Sequence, residues 1–309
     1  MISRRKFLVD SAMAGGFVFA SPLGFTKPTL PSFHIFSKHL QFLDYADMAD
    51  AAAELGFNGI ELTVRPGGHV EPEHVNVKLS LAVEAIRKVG LSADMMVTAI
   101  RNVEDPDSKQ VLTIASKLGI KHYRMGYLSL SDDQLIPKAL GEYNLQMIEL
   151  AAFNAAHSIT GSYQNHAGTQ VGAQIWDLHH LLKNIDPKHL GCQYDIRHAM
   201  VEGGTSWTRG LQLIKTRINS IVLKDYLWEK IGEKWKVKNV PLGTGMVDFD
   251  HYFKLLKKYA IDVPFVVHYE YDLQGAEHGD RNIPHNMHQS IFRAMKSDLQ
   301  FVKDLWSNG

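Results

Sequence analysis

One cysteine, Cys192, stands in 309 residues, so no internal disulfide can form and the paired spacing of a cysteine-rich zinc site is missing. Any metal would have to be held by His, Asp and Glu. An excess of one charge is missing too: 33 Lys and Arg balance 33 Asp and Glu, so no global positive field gathers nucleic acid or anionic lipid. No G-x-G-x-x-G follows the first predicted strand, and a nucleotide cofactor is therefore not expected. No Pro- or Ser-rich linker, low-complexity tract or internal repeat divides the interior, which points to one domain. What the chain does have is apolar material, 45% hydrophobic residues against 21% charged, enough for a large core and too much for disorder or a coiled coil.

The N-terminus reads Ser3-Arg4-Arg5-Lys6-Phe7-Leu8. A small-residue, mostly apolar stretch over 9–19 follows, broken only by Asp10 and Ser11, and Val18-Phe19-Ala20 offers a cleavage site. The stretch is too short and too rich in glycine for a membrane span, which needs ~20 residues. The pattern resembles a twin-arginine signal peptide. Residues 1–30 are accordingly expected to be an address and linker read by the twin-arginine export machinery, and 31–309 a periplasmic protein with no stable membrane span. A fold that needs no disulfide staples suits that oxidising compartment.

Short β-branched or apolar runs then alternate with helical patterns. Runs at 33–36, 59–64, 92–100, 120–125, 158–163, 190–194, 218–224 and 263–269 read as strands. Stretches at 43–55, 77–89, 109–118, 133–156, 175–182, 207–213, 249–259 and from about 286 onward read as helices. Eight such pairs predict an α/β chain folded as a single-domain (β/α)8 TIM barrel. An open doubly wound sheet would show the same alternation but lacks its phosphate loop here. Gly56, Gly90, Gly119 and Gly161 fall where helices stop or strands start, as a left-handed turn requires. The alternation over 228–240 around Ile231-Gly232 reads as a hairpin after strand 7, standing over the barrel mouth.

In such a barrel the chemistry sits where strands run into the following loops. Lys38 and His39 follow strand 1, and Glu61, Arg65 and His69 belong to strand 2 and its loop. Arg124 and Tyr127 end strand 4, Gln164, Asn165 and His166 strand 5, Asp195 and His198 strand 6, Lys224 and Asp225 strand 7, and His268 and Glu270 strand 8. Asp195 and His198 could bind a divalent cation or a sugar hydroxyl, or be a helix-capping aspartate beside a surface histidine. Glu270 is a charge among aromatic and β-branched residues that needs a partner, unless it faces outward to a helix lysine. Lys224 reads equally as an ion pair with Asp195 or Glu270 and as a substrate contact, and His166 as a substrate contact or support for one. Trp176, Trp207 and Trp235 are expected in core or lid packing rather than on a sugar face.

The ordered segments Glu54-Leu55-Gly56-Phe57-Asn58-Gly59-Ile60-Glu61-Leu62, Asn165-His166-Ala167-Gly168, Asp195-Ile196-Arg197-His198, Leu223-Lys224-Asp225, Val240-Pro241-Leu242-Gly243-Thr244-Gly245-Met246-Val247-Asp248-Phe249 and His268-Tyr269-Glu270-Tyr271 resemble the xylose isomerase-like barrel superfamily. That superfamily includes sugar isomerases and epimerases, inosose dehydratases and endonuclease IV, and the resemblance spans roughly residues 32–300. It implies an isomerase- or epimerase-like enzyme that moves a proton next to the carbonyl of a small-molecule carbohydrate. In the family's epimerases a divalent metal (Mn, Co, Mg or Zn) is held by Glu, Asp, His and Glu at the ends of strands 5 to 8, places filled here by Gln164, Asp195, Val222 and Glu270. Gln164 keeps a carbonyl oxygen but cannot take a proton, and Val222 ligates nothing. The implied metal set is then Gln164, Asp195 and Glu270, with either His166, His198 or His278 as a replacement ligand or the metal and the two-base reaction given up in this branch. Loss of one proton-shuttling carboxylate favours a one-base reaction, such as a lyase, over a two-base epimerisation. The resemblance makes Glu270, Lys224 and His198 catalytic and assigns substrate binding to Lys38, Arg65, His69, Arg124, Tyr127 and His166, with Lys224, Arg124 and Lys38 facing developing oxyanion charge. A non-catalytic carbohydrate-binding protein on a decayed barrel is the alternative, while neutral charge and the missing histidine-rich cluster argue against an endonuclease. The oligomeric state stays open.

Overall fold

The computed structural model describes residues 30–309, and the Arg4-Arg5 address lies outside the described residues. Eight parallel strands close a barrel: β1 (Phe33–Phe36), β2 (Gly59–Thr63), β3 (Ser92–Val97), β4 (His122–Arg124), β5 (Thr160–Gln164), β6 (Leu190–Asp195), β7 (Ile218–Leu223) and β10 (Phe265–Val267). The ring shuts where β10 pairs with β1, Phe33 opposite Phe265. Between and after the strands run α1 (Tyr45–Leu55), α2 (Val75–Lys88), α3 (Ser108–Lys117), α4 (Ile136–His157), α5 (Ile175–Leu181), α6 (Ile196–Gly203), α7 (Trp207–Ile214), α8 (Phe249–Lys258) and α9 (His285–Asn308). Among the described residues no helix is long and apolar enough to cross a membrane.

Local chemistry explains the element ends. Asp44 caps α1 by accepting from the Asp47 N–H, and Gly56, at φ 92°, stops it with its own N–H on the carbonyls of Ala52 and Ala53. Gly161 behaves otherwise than expected: it lies within β5, where a Cβ would come within 2.6 Å of Leu190 and 2.9 Å of Tyr123, so close packing requires it. Ser158 takes the left-handed position there. The short helix α6 is absent from the sequence pattern because it is a single amphipathic stretch started by a cap, Asp195, that is also a strand residue.

Alternation along the strands sorts the side chains into two sets. Phe33, Ile35, Ile60, Leu62, Tyr123, Tyr163, Cys192, Tyr194, Ile221, Leu223, Phe265 and Val267 join the helices in the main core. Their neighbours Phe36, Met95, Val97 and Val266 form a separate small cluster that fills the barrel interior. Apart from Val222, most of the remaining inward positions are polar, and among them are the site residues Glu61, Arg124, Gln164, Gln193, Asp195 and His268.

The hairpin is made of β8 (Asp225–Ile231) and β9 (Lys234–Val240), paired antiparallel from Asp225–Val240 to Ile231–Lys234. Its base is tied to the rim, and its tip, with Ile231 53% and Trp235 63% exposed, is in solvent. Asp225 fixes that base, its carboxylate accepting from the backbone N–H groups of Tyr226, Gly243, Gly245 and Val247 at 2.8–3.0 Å. The Leu-Gly-Thr-Gly-Met-Val segment is therefore a backbone cradle for one aspartate, and a Cβ on Gly245 would strike that carboxylate.

Inside the barrel Glu61 is buried, with Oε1 2.6 Å from Gln193 Nε2 and Oε2 3.5 Å from His268 Nε2, beyond a good hydrogen bond. Burial lifts its carboxyl to about 7, with partial relief from Arg124 and the Gln193 bond. The folded state thus keeps a proton that an unfolded glutamate loses near 4.5, so stability falls as pH rises from 4.5 to about 7 and the whole loss is present above 7. Glu61→Gln, which retains an acceptor for Gln193, is expected to raise Tm at pH 8 and change it little near pH 4. Thermal melts at both pH values check this, and an equal shift at both would contradict it.

Candidate active site at the barrel mouth

Lys224 leaves the end of β7 pointing inward, 3% exposed, with Nζ 3.0 Å from Asp195 Oδ2, 3.3 Å from Glu270 Oε1 and 3.0 Å from His198 Nε2. Asp195 is the helix cap that one reading expected, though the histidine beside it is buried rather than on the surface. Its Oδ1 caps α6 by accepting from the His198 N–H at 3.1 Å, while Oδ2 faces the mouth and also accepts from Gln164 Nε2 at 2.8 Å. Asn165 locks the Asp195 backbone on both sides, donating to its carbonyl and accepting from its N–H. His198 is a buried residue, with Nδ1 2.8 Å from Arg197 Nη1. Burial first, then Lys224 and His166, hold its pKa well below 6.5. A neutral imidazole has one acceptor nitrogen, so His198 accepts from one of these two cations.

Glu270 follows β10 and is a quarter exposed, with Lys38 Nζ at 3.7 Å and His268 Nδ1 at 3.9 Å as further neighbours. Burial would raise its carboxyl, but Lys224 and then Lys38 outweigh this and hold it well below 4.5. The balance for Lys224 is reciprocal: burial would lower its ammonium, and Asp195 and Glu270 together raise it above 10.5. The pair is therefore ionised across the neutral range. Asn239 of the hairpin donates to the Glu270 carbonyl at 3.1 Å, so the insertion after β7 sets the backbone that carries this carboxylate.

On the opposite wall Gln164 Oε1 accepts from Arg124 Nη1 at 2.8 Å and from Tyr127 Oη at 2.7 Å, which fixes the amide with Nε2 toward Asp195. Tyr127 meets the His166 ring edge-on at 4.9 Å between centroids, and His166 lies 4.0 Å over His198. Phe36, an ordinary strand hydrophobe in the sequence, sits at the centre of the cationic side: Lys38 Nζ, the Arg65 guanidinium and the Arg124 guanidinium lie 5.7, 5.5 and 5.6 Å from its ring centroid. Behind it His268 stacks at 4.4 Å. Inward register at the end of β1 was the one signal in the sequence that could have marked Phe36.

His69 is turned into the β1 and β2 loops. Its Nδ1 lies 3.1 Å from Ser37 Oγ and 3.2 Å from Thr63 Oγ1, and Nε2 is buried, so the ring braces the β1 and β2 loops. Burial lowers its pKa to about 4. Trp207 packs in the core as expected, while Trp176 and Trp235 are 60% and 63% exposed and pack in neither core nor lid.

The places the resemblance assigns to a metal do not fit a divalent cation. Gln164 Oε1 already accepts two hydrogen bonds, Val222 is an alkyl side chain, and the Asp195 and Glu270 carboxylates are bridged by an ammonium whose like charge opposes a second cation. His198 has a cationic donor at each ring nitrogen, and His278 is paired with Glu277 at 3.3 Å. Among the described residues no group of three or more His, Cys, Asp or Glu is arranged to hold a metal.

Comparison with known proteins places this geometry. A family model described as xylose isomerase-like TIM barrel matches residues 49–290. A D-allulose 3-epimerase from Methylomonas sp. superposes with a TM-score of 0.65 at 16% identity, covering 90% of this chain and 99% of that one. A 3-keto-D-glucoside 4-epimerase from E. coli gives 0.64 at 11% identity over 89% and 99% of the two chains. A probable 3-DHS dehydratase from Bacillus anthracis gives 0.63 at 15% identity over 87% and 98%. No curated protein matches the chain in sequence. At such identities the solved structures share the fold, and the family model decides membership: the chain belongs to the xylose isomerase-like TIM barrel family.

Proposed function

We propose that this protein moves a proton next to the carbonyl of a sugar or keto-sugar, with Glu270 as base and Lys224 as electrophile, and with no divalent metal in the step. The observation that carries the reading is the Lys224 ammonium, anchored on Asp195 at 3.0 Å yet only 3.3 Å from Glu270 Oε1. A carboxylate and an ammonium so placed serve both ends of an enolisation. Glu270 takes the proton from the carbon beside the carbonyl, the C–H electron pair becomes a C=C bond, and the carbonyl oxygen takes up the negative charge. Lys224 loses an anionic partner on Glu270 as it gains one on the substrate oxygen, so its charge stays paired through the transition state. Tyr127 and Arg124 orient Gln164, and through it Asp195, so that the ammonium has little freedom to leave this position.

One base on one face returns the proton to the face it left. Exchange without inversion follows, or, where the substrate carries a leaving oxygen β to the carbonyl, elimination with the Glu270 proton passing to that oxygen. Gln164 stands where an epimerase would hold its second base, which supports a lyase over an epimerase. The sugar epimerases and the probable dehydratase among the structures of this fold support a carbohydrate substrate. The resemblance of the Arg4-Arg5 segment to a twin-arginine signal supports a periplasmic site for this chemistry, as part of the same proposal.

Deuterium incorporation from heavy water into a panel of keto-sugars tests the reading. Glu270→Gln is expected to slow exchange by about 10²–10⁴-fold while leaving the circular dichroism spectrum intact, and Lys224→Gln by about 10²–10³-fold. Exchange at the wild-type rate in Glu270→Gln would remove its role as base. Exhaustive dialysis against a chelator is expected to leave the wild-type rate unchanged. A loss that Mn, Co, Mg or Zn restores would overturn the metal-free step.

A further inference from the structure

We infer that the substrate carries an anionic group, a carboxylate or a phosphate ester, bound by Arg65 and Arg124 beside the Phe36 ring. This rests on the proposed sugar site and adds the class of sugar it takes. The mouth holds five cations, Lys38, Arg65, Arg124, Arg197 and Lys224, against the ionised carboxylates of Asp195 and Glu270. Glu61 below them titrates near 7, and the facing imidazoles of His166, His198 and His268 are all lowered from 6.5 by burial and by Lys224, so they add no charge at neutral pH. The balance is positive in a place where charge is expensive to hide.

The excess is localised. Lys224 and Lys38 have Glu270, and Lys224 also has Asp195. Among the described residues Arg65, Arg124 and Arg197 have no carboxylate within the 4.0 Å of an ion pair; Arg197 lies apart, on His198 and 6.0 Å from the Tyr226 ring centroid, while Arg65 and Arg124 share the Phe36 ring. Arg124 is 6% exposed and uses Nη1 alone, on Gln164 and Tyr127, while its buried Nε has no partner. Arg65 makes no side-chain hydrogen bond among the described residues, and burial and Arg124 together pull its pKa down to about 10, so it stays charged. Two guanidiniums gathered around one ring repel each other, and their free forks match the oxygens of a carboxylate or phosphate. An anion placed there satisfies both at once. Lys38, 5.7 Å from the same ring centroid and 3.7 Å from Glu270 Oε1, joins this place to the carboxylate where the carbonyl chemistry is proposed.

Binding of three polyols that lack a ketone or aldehyde separates this inference from the reaction, because none offers the carbonyl the proposed step needs. Isothermal titration of the whole protein at 0.15 M salt would compare D-sorbitol, D-gluconate and D-sorbitol 6-phosphate. At least one of the two acids is expected to bind about tenfold or more tighter than sorbitol, a factor of ten being 1.4 kcal/mol. Gluconate ahead of the phosphate identifies a carboxylate substrate, and the reverse order a phosphate ester. Arg65→Gln is expected to erase the preference and Arg65→Lys to keep part of it. Arg65→Gln is also expected to raise Tm by removing the repulsion with Arg124, where an arginine kept for structure would lower it. Equal affinity for the three, no detectable binding of either acid, or a preference that survives Arg65→Gln overturns the inference. Failure of the exchange assay with intact acid binding would instead overturn the proposed reaction.

Discussion

A single buried ammonium holds the mouth of this barrel together. Without Lys224, Asp195 and Glu270 would be two carboxylates facing one closed space, and one of them would take up a proton or move away. With it, Asp195 can serve as the cap of α6 and as a site residue, and Glu270 can stay ionised although it is largely enclosed. Burial, reinforced by the same charge, keeps His198 and His166 neutral, so the aromatic wall from Tyr127 to His198 packs as uncharged rings. Breaking such a buried pair on one side leaves an uncompensated charge, so the arrangement is strongly interdependent.

The barrel's irregular parts support this centre rather than decorate it. Asp225, the residue after Lys224, accepts four backbone N–H groups and thereby fixes both the end of β7 and the return from the hairpin. Asn239, on the returning strand, holds the Glu270 carbonyl. Two neighbouring residues thus divide the work: Lys224 makes the ion pair, and Asp225 makes the chain around it rigid enough for the pair to persist. The exposed tryptophan at the hairpin tip has no part in this.

In the proposed reaction an ammonium does what a divalent cation would otherwise do. It carries one charge, needs no set of ligands, and polarises an oxygen more weakly than a metal would. On the other wall Arg65 and Arg124 share the Phe36 ring without a carboxylate partner among the described residues. The family fold is kept at 11–16% identity to the superposed structures because the outward strand faces and the helices define it, while the inward strand ends are free to vary.

The alternation of eight strands and helices, and therefore the barrel, could be read from the chain because period-2 and period-3.6 patterns are local properties. So could the list of polar residues at strand ends, since a barrel's architecture says where to look. Element ends were less legible: α6 hides behind a strand residue that doubles as its cap, and Gly161 is small for packing across two strands rather than for a turn. What no local pattern contains is which side chains meet. Lys224 read equally as an ion pair or a substrate contact, and three-dimensional closure decided that it touches Asp195, His198 and Glu270 together. His69 looked like a site residue, and the β1 loop took it for Ser37. Arg65, in the loop after β2, and Arg124, at the end of β4, lie 59 positions apart and share the Phe36 ring only because the sheet curls shut. The sequence by itself determined the architecture and the inventory of groups at its mouth. Tertiary structure alone decided their pairing, burial and charge state, because each depends on distances across the barrel that no stretch of neighbouring residues encodes.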